Sequence, residues 1–435
     1  MIATLPPVAA VGASPWAAAA GAVRAARAAQ GAWAARPVRE RVAVVAALRA
    51  ALAEHAAELA AAVTVAGRRR ADTLAAEVLP LAEACRFLEK QAAKLLRTRR
   101  AGRRGRPAWL AGVTAEVARQ PWGVVLLLAP YNYPLLLPGV QAVQALVAGN
   151  AVVLKPGRGG RVAAELLARL LGDAGLPAGL LHVLDESPEA GRAAVDAPPD
   201  KVVLTGSLDT GRAVLRAAAA DVTPVTCELS GIDPFVVLAD ADVELSARVL
   251  RYAATLNDGQ TCIAPRRLIA HESVAGELLR RVGDLLGPEL TSAVVSSDAE
   301  AVEEANACDH ALGAVVMGEP GHAADVAARV RAGVVVINDA VVPTADPRLP
   351  FGGRGLSGFG VTRGAEGLLE MTSPRVVAVR RGRFRPHLDA PRDTDEAMFL
   401  AGLRVLHGGG LVQRARALVA FLRLARAAPD RKNQP

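Results

Sequence analysis

The sequence predicts an α/β protein built on a Rossmann-type, doubly wound parallel sheet. Three observations predict it. Short apolar runs at 124–128, 151–154, 180–184 and 201–205 read as buried strands, with helical periodicity at 141–147 and 162–171 between them. The alternation restarts after Val222, with a strand to Leu229, a second at 235–238, a helix at 242–256 and a smaller α/β unit ending near Asn338. Finally, 435 residues of which 52% are hydrophobic and 22% charged can bury a multidomain core, which excludes a disordered polyelectrolyte.

Residues 16–65 carry long Ala/Leu/Val periodicity with Arg and Glu on the remaining face, so helices are expected there and again from Thr73 to about Leu96. The Arg/Gly segment 97–107 reads as a loop. After the second α/β unit a Gly-rich stretch covers 351–364. From Gly382 the texture changes to Pro, Arg and Asp, and a Gly408-Gly409-Gly410 break precedes a helix at 411–428. That helix sets Leu411, Val412, Ala415, Leu418, Val419 and Leu422 on one side, flanked by Arg414, Arg416 and Arg423. Contact with an anionic membrane is one use for it; docking on its own subunit or on a dimer mate is the plainer one.

The net charge is +8, and 46 of the 51 basic residues are arginine. The densest cluster, Arg97, Arg99, Arg100, Arg103, Arg104 and Arg106, has few aromatics among it and no nucleic-acid motif. It reads as a solvated linker, and no nucleic-acid partner is expected. Four cysteines (Cys85, Cys227, Cys262, Cys308) without CxxC spacing argue against disulfides and against a metal site. The N-terminus shows no positively charged leader, and the apolar region 124–147 is broken by prolines, so neither a signal peptide nor a spanning helix is expected. A reducing, cytoplasmic setting follows.

Few residues stand where chemistry is possible. Cys262 lies in a polar turn, Asn257-Asp-Gly-Gln-Thr-Cys-Ile-Ala-Pro265, whereas Cys85 sits in an apolar run. Glu228 ends a strand among apolar neighbours, where burial would raise its pKa toward that of a general base. Asn132, in Ala129-Pro-Tyr-Asn-Tyr-Pro134, follows a strand and can offer an amide to an oxyanion. Gly206-Ser207 can present backbone N–H groups to a diphosphate, although no GxGxxG follows any strand. A structural strand-end glutamate and a turn asparagine are equally compatible with these residues alone.

Together the segments Ala129–Pro134, Ala148-Gly-Asn-Ala-Val-Val-Leu-Lys-Pro156, Thr205-Gly-Ser207, Glu228-Leu-Ser-Gly231, Gly259-Gln-Thr-Cys-Ile-Ala-Pro265 and Pro350-Phe-Gly-Gly353 resemble the aldehyde dehydrogenase superfamily, over most of residues 20–380. The resemblance implies NAD(P)-dependent oxidation of a small-molecule aldehyde to its acid. Cys262 would form a thiohemiacetal and then a thioester, and Glu228 would activate the hydrolytic water. Asn132 and the Cys262 N–H would hold the oxyanion. It also implies that Lys155 contacts the adenosine ribose, that Pro130, Gly206 and Ser207 border the cofactor, and that Phe351 lines the substrate entrance. A homo-oligomer, dimer or tetramer, is implied with them.

Three departures stand out. Arg158 replaces the acidic residue that follows the Lys-Pro pair, which admits NADP beside NAD. The catalytic half lacks several tens of residues before the helix containing Ala305, leaving Asp284 and Leu286 where the family has a Glu and a Phe. Leu229-Ser230-Gly231-Ile232 stands for Leu-Gly-Gly-Lys. The expected organisation is a cofactor domain at 1–227, a shortened catalytic domain at 228–372, oligomerisation segments at 108–121 and 373–381, and an extension at 382–435. The shortening leaves a second possibility, a catalytically impaired relative acting as an interaction or scaffold protein.

Overall fold

The structure, a computed structural model, describes residues 14–382, 385–388 and 390–426. The leader question at the N-terminus and the helix end at Ala427-Ala428 lie outside the described residues. The chain divides into a larger unit, Met1–Ala101 with Ala115–Val377, and a smaller one, Gly102–Thr114 with Ala378–Pro435.

Two mainly parallel sheets organise the larger unit. The first runs in the order Gly358–Phe359, Val225–Leu229, Lys201–Gly206, Val124–Leu128, Ala151–Lys155, Leu181–Val183. Its central strands Val124–Leu128 and Ala151–Lys155 are buried along nearly their whole length, which is why they read as continuous apolar runs. The second sheet has the order Thr291–Val295, Pro265–His271, Asp233–Val237, Gly313–Met317, Val334–Ile337, parallel throughout. Here successive residues divide between two cores. Phe235 and Val237 pack with Leu268 and Val315 on one face, Val236 and Leu238 with Ile269 and Val316 on the other.

The N-terminal helices Pro15–Ala34 and Val38–Glu54 cap the first sheet's helix Leu136–Ala148. That helix ends on Gly149 in the left-handed region, and its last carbonyls need donors. Trp33 Nε1 donates to Leu146 O at 2.8 Å and Arg41 Nε to Val147 O at 2.8 Å, while Arg41 also holds the Ala34 and Arg36 carbonyls. Two elements differ from expectation. Arg99–Ala101, expected as loop, forms a short strand against residues 115–117. The extension contains a helix, Asp395–His407, that its Pro/Arg/Asp flank concealed. Val113–Pro121 and Thr372–Arg380 are neighbours in one three-stranded sheet, so the two segments expected to serve oligomerisation stand side by side.

A charged staple ties three turns of the second sheet. His322 Nδ1 bonds Asp240 Oδ2 at 2.7 Å and His322 Nε2 bonds Asp298 Oδ2 at 2.7 Å. The two carboxylates push the imidazole up to about 9 from 6.5. The folded protein therefore binds this proton more tightly than the unfolded chain. The resulting stability is complete below pH 6.5 and disappears as pH rises through 9. His322→Gln should lower the melting temperature by a few degrees at pH 6 and leave it unchanged near pH 10, measured by thermal unfolding of both proteins across that range.

Candidate active site

The carboxyl ends of the first sheet open onto a cleft of about 1670 Å³, where parallel sheets of this kind take their ligands. Cys262, Glu228, Asn132, Lys155, Arg158, Gly206, Ser207 and Pro130 all line it. Phe351 is not among the residues lining this cleft. It bridges Thr362 and is turned inward, buried with Ile263 and Leu312 beneath Cys262. Asp284 is also elsewhere: both its oxygens are held by Arg251, at 2.6 and 2.7 Å, on the surface.

The Cys262 loop follows the helix Val243–Thr255 and reverses tightly. Asn257, Asp258 and Gly259 all have left-handed φ, between 55° and 69°, a run that asparagine, aspartate and glycine tolerate best. Asn132 Nδ2 donates to Gln260 O at 2.6 Å and Tyr133 Oη bonds Thr261 Oγ1 at 2.8 Å, so the Asn132 turn and the cysteine loop are laced together. Burial and the neighbouring Glu228 both raise the Cys262 thiol above its ordinary value, so it rests protonated.

Glu228 ends the strand Val225–Leu229 and pairs with Gly358 on the antiparallel edge. A Cβ on Gly358 would lie 2.1 Å from Cys227 O, so only glycine lets that edge close over the carboxylate. Burial raises the Glu228 pKa; the Arg363 guanidinium and the Thr362 hydroxyl oppose it. Thr362 Oγ1 donates to Oε2 at 3.2 Å, and Oε1 is buried without a partner among the described residues. An unpartnered, desolvated carboxylate oxygen is a proton acceptor waiting for a donor. Ser357 fixes the following turn, donating to Ser230 O at 2.9 Å, while Ile232 faces solvent in place of the family's lysine. Asp233, a little further on, is buried, and burial pushes it up to about 8 against the pull of the Gly313 and Leu312 N–H groups, so it is mostly neutral at pH 7.

The rest of the cleft suits a dinucleotide. Lys155, Arg158 and Arg192 supply three cations, and Arg158 makes no side-chain bond to any described residue. Ser207 caps the eleven-residue helix Leu208–Ala218, whose N-terminus faces the cleft with free backbone N–H groups. A Cβ on Gly157 would lie 2.3 Å from the Pro130 carbonyl, so this glycine lets the Lys155 strand end approach the Asn132 turn.

The sequence pattern of the aldehyde dehydrogenase family matches residues 3–286 and 283–377. The two segments meet at the turn Gly283–Leu285, where the catalytic half was expected to be short. Over 424 aligned residues the chain is 30% identical to a 4,4'-diapolycopene aldehyde oxidase of Methylomonas sp, covering 81% of this chain and 80% of that one. A crystal structure assigned as an aldehyde dehydrogenase from Burkholderia cenocepacia superposes with a TM-score of 0.79 at 27% identity, covering 86% of this chain and 92% of that chain. PnpE from Pseudomonas sp. WBC-3, solved with nicotinamide adenine dinucleotide, gives 0.77 at 26% identity, covering 84% and 91%. The chain belongs to the aldehyde dehydrogenase family. It is an NAD(P)-dependent oxidoreductase acting on an aldehyde, and the impaired-scaffold alternative is not favoured.

Sequence reasoning missed the residues beneath the site. Arg68 is buried against Glu77, stacks 4.7 Å from the Tyr133 ring centroid, and donates to Asn132 O at 2.6 Å and to Asn257 Oδ1 at 3.1 Å. Glu77 Oε2 in turn accepts from the Leu135 and Leu136 N–H groups at 2.8 and 2.9 Å. The only signal was a charged residue inside a helical run. Thr362 and Arg363 were missed as well, although they stand in the Gly-rich stretch already singled out. Arg68→Ala leaves Glu77 uncompensated and should cost about 3–5 kcal/mol of stability. Arg68→Lys should restore part of it; denaturant unfolding of the three proteins checks the order.

Proposed function

We propose that this cleft oxidises an aldehyde to the free acid by covalent catalysis, with Cys262 as nucleophile and Glu228 as base. The observation that carries this is the juxtaposition of a half-buried thiol with a carboxylate whose Oε1 is desolvated and unpartnered among the described residues. Glu228 takes the proton that leaves the Cys262 thiol, and the sulfur adds to the aldehyde carbonyl. One Asn132 N–H is committed to Gln260 O; the other, with the Cys262 backbone N–H, is available to hold the oxyanion of the thiohemiacetal. The nicotinamide, when bound, accepts the electron pair and hydrogen lost by the substrate. Glu228 passes the thiol proton to solvent. The resulting thioester is then hydrolysed by a water that gives a proton to Glu228 as its oxygen adds to the acyl carbon. That proton goes on to the departing sulfur, releasing the acid and regenerating the thiol.

The same glutamate that depresses the thiolate population is thus the group that removes its proton. Activity should rise with pH as Glu228 deprotonates, because only its ionised form accepts a proton. Cys262→Ala should abolish cofactor reduction. Glu228→Gln should slow the first turnover on mixing as well as the steady state, the latter by about 10²–10³. Stopped-flow absorbance with a panel of aldehydes reads both phases, and full steady-state turnover in Glu228→Gln would remove the base assignment.

Lys155 would contact the adenosine ribose and Ser207 the diphosphate at its helix N-terminus. Arg158, exposed and unpaired beside Arg192, supports use of NADP, whose 2′-phosphate a guanidinium binds well. Arg158→Glu should weaken NADP binding by about tenfold and leave NAD within twofold, about 1.4 kcal/mol of discrimination. Cofactor fluorescence titration without aldehyde measures it, and an unchanged ratio would dismiss Arg158 as the reader. A homo-oligomer is supported by the adjacent strands Val113–Pro121 and Thr372–Arg380, and a cytoplasmic setting by the four unpaired cysteines.

A further inference from the structure

The excess positive charge is not spread over the chain. The smaller unit, Gly102–Thr114 with Ala378–Pro435, holds fifteen Arg and Lys against five Asp and Glu. It is therefore net +10 within a chain of net +8, and the larger unit is net −2. Coding bias toward arginine would load both units; this distribution is segregated.

The same unit exposes apolar side chains. Its helices Asp395–His407 and Leu411–Arg426 pack through small residues, with Ala401 and Ala417 buried and Gly402 close to Phe421. The outward sides keep Phe399 66%, Leu403 57%, Leu411 85%, Leu418 44% and Leu422 46% exposed. At 100° per residue Leu411, Leu418 and Leu422 fall on one stripe of the second helix. Arg414 lies about 60° to one side of that stripe and Arg426 about 60° to the other, with Arg423 and Arg416 further round at about 120° and 140°, and this helix has no acidic residue. Within the smaller unit no described residue covers this face.

We propose that the smaller unit docks the enzyme on an anionic lipid surface. The Leu411–Arg426 helix lies in the headgroup plane, its leucine stripe inserted and its flanking arginines on lipid phosphates. The helices have 13 and 16 residues, and none among the described residues is long and apolar enough to cross a membrane, so the docking is peripheral. Charge decides between occupants. An isologous contact with a second copy would press two arginine-flanked stripes together, whereas an anionic bilayer neutralises the arginines and takes up the leucines. A nucleic-acid backbone would neutralise the arginines but offer the leucines nothing.

The full chain is sedimented with vesicles of pure phosphatidylcholine, or of phosphatidylcholine with one third phosphatidylglycerol. Binding to the anionic vesicles should exceed binding to the neutral ones by about tenfold at ~0.1 M salt and fall sharply at ~1 M. Leu418→Asp with Leu422→Asp should remove most of it, and Arg414→Glu, Arg416→Glu and Arg423→Glu together should abolish the preference for anionic lipid. All these positions are exposed, so an unchanged thermal unfolding curve shows that the variants fold. Absence of binding to either vesicle would overturn the proposal. So would leucine variants that dissociate an oligomer without changing lipid binding, or duplex DNA bound where vesicles are not.

Discussion

Arg68 and Glu77 hold the site together from beneath. Glu77 is an acidic side chain with no access to water, and burial raises its pKa against the pull of Arg68. It is tolerated because Arg68 and two backbone N–H groups satisfy it. Those N–H groups belong to the start of the helix Leu136–Ala148, which lacks intrahelical partners for them. The guanidinium then reaches past the carboxylate to Asn132 and Asn257, the first residues of the two turns that form the floor of the cleft. One buried ion pair thus sets a helix origin, the amide offered to the oxyanion and the path of the cysteine loop.

The chemistry depends on groups being buried unequally. Glu228 and Cys262 are desolvated together, which raises both pKa values, so the thiol keeps its proton until an ionised Glu228 accepts it, directly or through a water. Arg363 sits near both, stacked 4.4 Å from the Phe351 ring centroid and bonded to Thr344 O, and its charge moderates that desolvation. Phe351 matters through this contact. It shapes the site by supporting a cation and packing beneath the thiol.

Where the catalytic half was expected to be short, the chain forms one edge of the second sheet. The helix Glu272–Val282 passes through the turn Gly283–Leu285 directly into the edge strand Thr291–Val295, which pairs in parallel with Pro265–His271 over five residues. Asp284, at the family's glutamate position, is used by Arg251 instead. Glu289 approaches the cleft from the following residues, where it pairs with Arg266 at 3.2 Å.

The sequence by itself determined the α/β class, the strands and the cleft-lining residues, because buried parallel strands are long unbroken apolar runs and the reactive residues follow them at turns. Cys262, Glu228, Asn132 and Ser207 were legible as candidates because each stands at the end of a strand or in a loop beside one, and the resemblance to the family, not local pattern, gave them roles and added Lys155 and Arg158. Tertiary structure alone decided the rest. Phe351 lies under the thiol because a bridge to Thr362, eleven residues away, turns it inward. Arg68 supports the site because it meets partners 64 and 189 residues distant. The +8 charge is concentrated in one unit assembled from two distant segments, which composition does not show. Periodicity reports which face of an element is buried; which charges, rings and carboxylates meet across that burial is settled only when the elements pack.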